Sequence, residues 1–572
     1  MLGRIASIEA MLTQQSVTLE DLHNRINSGA VPQAPIHGVQ DTVPTLAENL
    51  PSTSHSLAPW TIHSQTSGHL ASAVEVTASP STSRDDIPAM TIPRQHSTTT
   101  ESLLSTTPVR ALLGDFPRGM FLKTESARIL PQNIRLGNLH VTAFPEIDRA
   151  EMDCLVDCFF RLAHREIPIL DQNHFLSCYR QFLERDTWAD IDSALCLMVL
   201  AVGAIVQNPP STSIQGANIS SPGGEYLSAA MKILVPDIMQ SFWSTITLPQ
   251  ATLLAAKYFG YLLRPLQSWR FVHLASTNVQ ILLNWPQTLD EDDATAAALS
   301  RLRVSSWLIL DSDLIAEHHL PRSGIEHVVE NMPLPTFHTW TSEASMFLAE
   351  ISARRLFNRV HHTMYADSSG RFGMVDHTMS TQDHFQRQEL RPAITNLATE
   401  LDHQLETWFD LLPQHIKPDL ESASSWTFEH LNILHRYHTA KDIIFRPFVM
   451  YTCNLPTNGT ISTGILERCS TCVQHCCAYL SVSEMLLAQT SSVKEIICHS
   501  SVFAATVVLT LSSLNQNLSS LVSDVDVLQT RAVSMLQRVA SKDSVIDQLV
   551  GILKVLQMKT RLLKGQVRMP TP

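Results

Sequence analysis

Apolar residues recur at helical spacing in this chain from about Phe144 almost to the C-terminus. Apolar positions three and four residues apart share one face of a helix, whereas a half-buried strand shows alternation, which is rare here. Short segments that contain proline separate the apolar stretches, and proline ends or bends a helix. We therefore predict an all-α fold, with a large multi-helix domain over residues 140–515 and C-terminal helices and a tail over 520–572. The breaks are Pro209-Pro210, Pro222-Gly223, Pro286, Pro333-Leu334-Pro335 and Pro413.

Residues 1–26 carry a different apolar pattern, in which spacings of three and four residues alternate. This spacing is typical of the a and d positions of a coiled coil, and Gln15 would be a polar interruption that sets the register. We predict a short coiled-coil-like helix that mediates dimerisation, with an amphipathic helix packed on the body as the alternative. The dimerisation candidates are Ile5, Ile8, Leu12, Leu19, Leu22 and Ile26.

Residues 27–125 begin with a long stretch that is rich in Ser, Thr, Pro, His and Ala. Such a stretch has few aromatic residues and cannot bury enough apolar surface to offset the entropy lost on ordering. We therefore predict a disordered linker over residues 27–125. An activation or phosphorylation segment and a passive linker are equally compatible with its composition.

Composition limits how the chain can meet nucleic acid. Hydrophobic residues make up 44% of the 572 residues, enough for a sizeable core, and the formal net charge is -13. Non-specific DNA binding requires Lys and Arg side chains that neutralise phosphates, so DNA contact by this chain is expected to be indirect or weak. Five basic residues near the C-terminus suit a nuclear signal, although a solvated helix face is the simpler interpretation. They are Lys554, Lys559, Arg561, Lys564 and Arg568.

Targeting and redox signals favour the cell interior. The ten cysteines lack the dense pattern of a disulfide framework and fit reduced thiols in the cytosol or nucleus. No secretory signal pattern follows Met1. The best transmembrane candidate, residues 496–514, is interrupted by His499, Ser500 and Thr506, so we predict a buried core helix there and no membrane association.

Catalytic motifs are missing from the sequence, including a phosphate-binding glycine loop, a dinucleotide fingerprint, a nucleophile elbow and a paired-histidine zinc motif. The one dense acidic cluster, Asp290-Glu-Asp-Asp293, is typical of a helix N-terminus, where acids favour the helix dipole. We therefore predict that the chain is not an enzyme and has no catalytic residues.

The sharpest candidate metal site lies between Cys469 and Cys477, where a Cys-x-x-Cys motif is followed by His475, Cys476 and Cys477. These residue types bind zinc. Residues 465–487, however, have the pattern of one helix, which would place Cys469, Cys472 and Cys476 on one apolar stripe. Buried cysteines behave as small hydrophobic residues. Packing is thus the favoured interpretation, metal binding or redox sensing is the alternative, and we expect no metal or other cofactor in this chain.

Five stretches, in order, resemble the fungal-specific transcription factor domain, the middle homology region of zinc-cluster regulators. The first contains an Ile-Pro-Ile-Leu turn, the second is a buried helix, and the third contains Trp269-Arg270. The fourth contains a basic-then-aromatic helix, and the fifth has a Leu-Pro break followed by Arg446-Pro447. They span 158–171, 195–205, 251–283, 301–311 and 401–448.

Their large side chains, such as Trp269, are expected to anchor helix packing. The arginines are expected to pair with Asp311 or Glu317 near helix ends. The structural motif residues are Trp269, Arg270, Arg301, Trp307, Asp311, Arg446 and Pro447.

The resemblance implies a helical regulatory domain in a nuclear regulator of RNA polymerase II genes, which shuttles to the cytoplasm in some cases. Zinc-cluster regulators also carry a six-cysteine zinc module, but the first hundred residues here contain no Cys. We expect that module to be absent from this chain, so that zinc enters only if a cluster lies upstream.

The implied partners are a second copy or a related regulator, together with the transcription machinery. Control of a metabolic or secondary-metabolite gene set is expected by resemblance alone. A cytosolic interaction scaffold is the main alternative, and an all-helical enzyme is a weaker one.

Overall fold

The computed structural model describes residue 92 and residues 96–135, 148–184, 189–209, 221–241, 245–285, 293–306, 317–318, 320–330, 335, 341–365, 392–456, 459–489 and 496–567. Helices dominate these residues, and no β-strand occurs among them, which confirms the all-α fold class. The predicted helix over residues 1–26 and its six dimerisation candidates lie outside the described part of the chain.

Three short helices near the N-terminus correct the predicted end of the linker. They are α1 (Thr100–Leu104), α2 (Thr107–Leu113) and α3 (Met120–Ala127). All begin within residues 27–125, which were predicted to be disordered. They are ordered because their apolar side chains, including Leu104, Val109 and Phe121, are buried against the later helices. The Thr99 hydroxyl also accepts a bond from the Ser102 N–H and so caps α1.

A first hydrophobic core is built around the helix α6 (Ile191–Gln207), in which every residue from Ser193 to Val206 is buried. Gly203 lies where α6 passes the helix that contains Leu155, and a Cβ atom at this position would stand 2.2 Å from the carbonyl oxygen of Leu155. Only glycine permits so close an approach. The helices are α4 (Arg149–Cys158), α5 (Gln172–Glu184), α6 (Ile191–Gln207), α7 (Gly224–Gln240), α8 (Thr247–Tyr261), α9 (Pro265–Asn284), α10 (Asp293–Ser305) and α11 (Glu326–Glu330).

A second core contains most of the remaining helices, and the helix α12 (Ser342–Met364) belongs to both cores. Phe347 and Ile351 pack in the first core, and Leu356 and Val360 pack in the second. This helix therefore links the two cores. The other helices of the second core are α13 (Pro392–Leu411), α14 (Phe428–Asn454), α15 (Thr463–Gln489), α16 (Ile496–Leu514), α17 (Val525–Gln537) and α18 (Val545–Val567).

The C-terminal helices are part of this second core, which differs from the predicted boundary between residues 515 and 520. Leu536 of α17 and Leu549, Leu553 and Leu556 of α18 are buried in it. Their apolar stripes need a partner surface, and α16 supplies it. The domain therefore extends to residue 567.

The helix α16 has the bounds predicted for a core helix. Val507, Val508 and Leu509 are fully buried, and the Thr506 hydroxyl donates to the Val502 carbonyl, so that its polar group is satisfied within the helix. In the described part of the chain, no helix combines the length and apolarity needed to cross a bilayer.

Candidate functional site

A proline inside the helix α14 creates the first feature of the site. Pro447 has no N–H to donate to the carbonyl of Ile443, four residues earlier. The Tyr365 hydroxyl, at the end of α12, donates to that same carbonyl in the buried interior. A side chain of another helix thus satisfies the group that Pro447 leaves unpaired, and this hydrogen bond fixes α12 against α14.

A buried ion pair on the same helix, α14, directly precedes Pro447. The Arg446 guanidinium donates to both carboxylate oxygens of Asp442, with Nε 3.2 Å from Oδ1. Both side chains are almost completely buried. Burial alone would lower the pKa of Arg446, but the charge and hydrogen bonds of Asp442 hold this pKa above its ordinary value. The pair is therefore charged, and each member compensates the other.

Arg446 was expected to pair with Asp311 or Glu317, and its described ion-pair partner is Asp442. Asp442 and Arg446 are four residues apart on a helix, so both side chains share one face. Asp311 lies outside the described residues. The charge of Arg446 does act on Glu317, because it opposes the rise in the pKa of that carboxyl group.

Glu317 brings an acidic group to the same region. Its Oε1 accepts a hydrogen bond from the Thr100 N–H of α1, at 3.4 Å. Burial raises the pKa of Glu317 to about 7, although the hydrogen bond from Thr100 and the charge of Arg446 act against that rise. Residues from α1 and α14 thus act on this carboxyl group.

Two histidines attach the N-terminal segment to α12. The Thr98 hydroxyl lies 2.9 Å from Nδ1 of His361 and 2.6 Å from Nδ1 of His96. The Ser97 N–H donates to the carbonyl of Tyr365, at 3.2 Å. Burial lowers the pKa of His361 well below its ordinary value, and the nearby His96, Arg354 and Arg446 lower it further. His361 is therefore neutral near pH 7.

We use the term polar centre for five of these residues, which lie in or beside the second core. They connect the N-terminal segment, α12 and α14 through hydrogen bonds and charges rather than through apolar contact alone. A buried polar network of this kind specifies one arrangement of helices, because a shifted helix would leave charges and carbonyls without compensation. The five are Glu317, His361, Tyr365, Asp442 and Arg446.

The Tyr365 bond yields a double-mutant prediction. Tyr365→Phe should lower the free energy of unfolding by about 1–3 kcal/mol, because the buried Ile443 carbonyl loses its donor. In a Pro447→Ala background the same change should cost less, since residue 447 then has an N–H that can reach this carbonyl. Urea unfolding of the wild type, the two single variants and the double variant gives the coupling energy between Tyr365 and Pro447. An equal cost of Tyr365→Phe in both backgrounds would contradict the assignment.

A second polar cluster crosses between α13 and α14. The Lys441 ammonium contacts the carboxylates of Asp402 and Glu406, and the Tyr437 hydroxyl donates to Glu406 at 2.8 Å. Lys441 is buried, so this double contact compensates its charge. The cluster holds α13 in place beside the polar centre.

The cysteine stripe of α15, formed by Cys469, Cys472 and Cys476, faces the helix α14. Cys469, Cys472 and Cys476 are fully buried. Cys472 and Cys476 place their Sγ atoms 3.6 and 3.4 Å from Oδ1 of Asp442. Cys469 contacts the Thr452 hydroxyl instead, at 3.5 Å. The three cysteines do share the predicted buried face, but only two of them meet the carboxylate.

His475, which the sequence placed in the candidate metal group, contacts His438 instead. Its Nδ1 lies 2.8 Å from Nδ1 of His438 on α14, and its ring packs against Tyr437. Burial lowers its pKa to about 4, and the charge of Lys441 acts in the same direction. His475 therefore belongs with the second polar cluster. The sequence pattern missed Asp442, whose signal was its position four residues before Arg446.

Trp269, on α9, connects this helix to the segment that follows residue 320. The Trp269 indole N–H and the His273 imidazole Nε2 lie 3.0 and 2.8 Å from the carbonyl of Pro321, and the Gln280 amide donates to the carbonyl of Ser323. All three belong to α9. They hold the Pro-Arg-Ser-Gly segment that follows residue 320 against the helix.

The other motif residues have different surroundings. Arg270 is exposed, and Arg301 is partly buried, where burial lowers its pKa and the charge of Asp171 opposes that shift. Trp307 and Asp311 lie outside the described residues. The predicted pairing of Arg270 or Arg301 with Asp311 therefore involves a residue outside the described part of the chain.

The Ile-Pro-Ile-Leu turn is also held at both sides. His164 Nε2 lies 3.0 Å from the carbonyl of Leu170, and the Gln250 amide donates to the carbonyl of Ile169 at 2.9 Å. Ile167 and Ile169 are fully buried. The turn thus connects the segment that follows α4 to α8 of the first core.

Comparison with known proteins identifies one named relative. The chain is 24% identical over 331 residues to the protein named "Putative transcription factor ecdB" of Aspergillus rugulosus. The match covers 55% of this chain and 53% of the relative, so the chain spans about half the length of the curated relative it matches. No family model matches the chain. No solved structure matches it either.

Proposed function

We propose that this chain is a regulator of transcription by RNA polymerase II and that it acts through its helical body. The observation that carries the proposal is the similarity over 331 residues to a relative whose name describes a transcription factor. The order of the five motifs supports the same assignment. At the described joints, the motif residues hold turns and helices together, a structural role rather than a catalytic one.

The finer proposal is a regulator of the fungal zinc-cluster class that works in the nucleus. Residues 1–26 are proposed to form its dimerisation helix, with a second copy or a related regulator as partner. The net charge of -13 supports contact with proteins rather than with phosphates. DNA would then be reached through a partner or an additional zinc module, and the regulated genes are proposed to be a metabolic or secondary-metabolite set.

A tethering experiment tests the proposal without knowledge of the target genes. The full chain is fused to a heterologous DNA-binding domain in a fungal host, with a reporter of intermediate basal activity that registers both activation and repression. The fusion should shift reporter transcription away from the level set by the DNA-binding domain alone. A fusion that carries a helix-disrupting proline at Val507, in the buried face of α16, should lose this effect.

A scaffold without a transcriptional role predicts a different result. The reporter would then stay at the level of the DNA-binding domain alone, even though the fusion is expressed and nuclear. This outcome would overturn the proposed function.

A further inference from the structure

We propose that Asp442, Cys472 and Cys476 form a binding site for a thiophilic divalent metal ion, with zinc as the physiological type. The Asp442 carboxylate and the two thiols come from the facing helices α14 and α15. One ligand atom of each residue lies within 4.8 Å of the others. Two sulfurs and one oxygen are a donor set that zinc accepts.

The distances fit one ion between the three atoms. In a tetrahedral zinc site with arms of about 2.3 Å to sulfur and about 2.1 Å to oxygen, the sulfur–oxygen edge is about 3.6 Å. The Cys472 and Cys476 sulfurs lie 3.6 and 3.4 Å from Oδ1 of Asp442. The two sulfur–oxygen separations therefore already match those of a bound ion, and all three ligand atoms lie within 4.8 Å of one another.

Charge is balanced before and after the ion enters. In the empty site both thiols donate to Oδ1 of Asp442, so each sulfur carries a proton. The empty site then holds one negative carboxylate and one positive guanidinium, that of Arg446. A divalent ion that replaces the two thiol protons leaves the sum at zero, because two thiolates form as the ion binds. A buried site tolerates this exchange better than a change in net charge.

Arg446 then supports the ligand carboxylate from outside. Its Nη2 donates to Oδ2 of Asp442, and its Nε is 3.2 Å from Oδ1. Ligating carboxylates are commonly held in this way by a hydrogen-bond donor behind them. Oδ1, which faces both sulfurs, is the oxygen that binds the ion.

The site differs from the group that the sequence pattern brought together. Cys469 contacts the Thr452 hydroxyl, and the His475 imidazole contacts the imidazole of His438. Cys477 is only partly buried and is absent from the three-residue group. The proposal also departs from the prediction that the chain carries no cofactor. Its new element is Asp442, which comes from a different helix.

Cobalt substitution of the full-length protein tests the site, because thiolate-bound Co²⁺ has a characteristic charge-transfer absorption. We expect one equivalent of Co²⁺ per chain, displaced by Zn²⁺, with binding that strengthens as pH rises and releases two protons per ion. Cys472→Ser and Cys476→Ser should each lose most of the thiolate absorption. Cys469→Ser and Cys477→Ser are matched controls on the same helix and should retain it.

Circular dichroism of each variant separates loss of the ion from loss of the fold, since serine is close in size to cysteine. The proposal is overturned if the folded wild-type protein shows no thiolate–cobalt band. It is also overturned if the band survives in both Cys472→Ser and Cys476→Ser, or if Cys469→Ser removes it to the same extent. In those cases the two thiols serve only as hydrogen-bond donors to Asp442.

Discussion

Replacing Arg446 with methionine is expected to lower the free energy of unfolding by about 3–5 kcal/mol. The change removes the guanidinium that compensates Asp442, and that carboxylate stays buried at 3% exposure among apolar helices. An uncompensated buried charge is one of the largest penalties that a single substitution can introduce. Urea unfolding followed by far-ultraviolet circular dichroism measures the effect.

Two comparisons identify the cause of that loss. Arg561→Met removes a surface ion pair with Asp526, whose members are about half exposed, and should change stability by less than about 1 kcal/mol. The double change Arg446→Met with Asp442→Leu replaces both charges and should recover part of the loss. Equal losses from Arg446→Met and Arg561→Met would contradict the buried ion pair as the organiser of the polar centre.

Replacing Trp408 with alanine is expected to cost about 3–5 kcal/mol. Trp408 is 1% exposed in the second core, and its indole N–H donates to the Ser352 hydroxyl of α12 at 2.9 Å. Alanine would leave a cavity where α13 meets the helix that links both cores. Thermal unfolding and urea unfolding of the variant should both show this loss of stability.

The tryptophan has a matched control in the chain. Trp285→Ala removes a tryptophan that is 43% exposed and should cost much less. Trp408→Phe keeps most of the buried ring and removes the hydrogen bond, so it should cost less than Trp408→Ala. If Trp408→Ala and Trp285→Ala had similar effects, α13 would not be packed as described.

Helical periodicity predicted much of this fold because the body is apolar and nearly free of strand-like alternation. The core helix over residues 496–514 has the predicted bounds, and the cysteine helix differs from its predicted span, 465–487, by two residues at each end. Both helices are long enough for their pattern to be unambiguous.

Short helices near the N-terminus were harder to foresee. The helices α1 and α2 contain five and seven residues, too few to show a period, and a Ser- and Thr-rich segment precedes them. They are ordered by side chains such as Leu104 and Val109 that pack against distant helices. Tertiary contact therefore outweighs local composition here.

The polar centre depended on contacts that no local pattern reveals. Asp442 and Arg446 could be paired from their spacing of four residues. The bond from Tyr365 to the carbonyl of Ile443 spans 78 residues, and the bond from Thr98 to His361 spans 263. Pro447 indicates in the sequence that the carbonyl of Ile443 lacks its helical donor. That Tyr365 supplies the donor is known only from the fold.

Regulation of transcription by this chain can be measured by comparing transcriptomes of the source organism with and without its gene. We expect deletion to change a defined set of genes and re-expression of the wild-type chain to restore them. A destabilised Arg446→Met chain should restore them less well. An unchanged transcriptome on deletion, together with a chain that stays uniformly cytosolic, would contradict the claim and favour the scaffold.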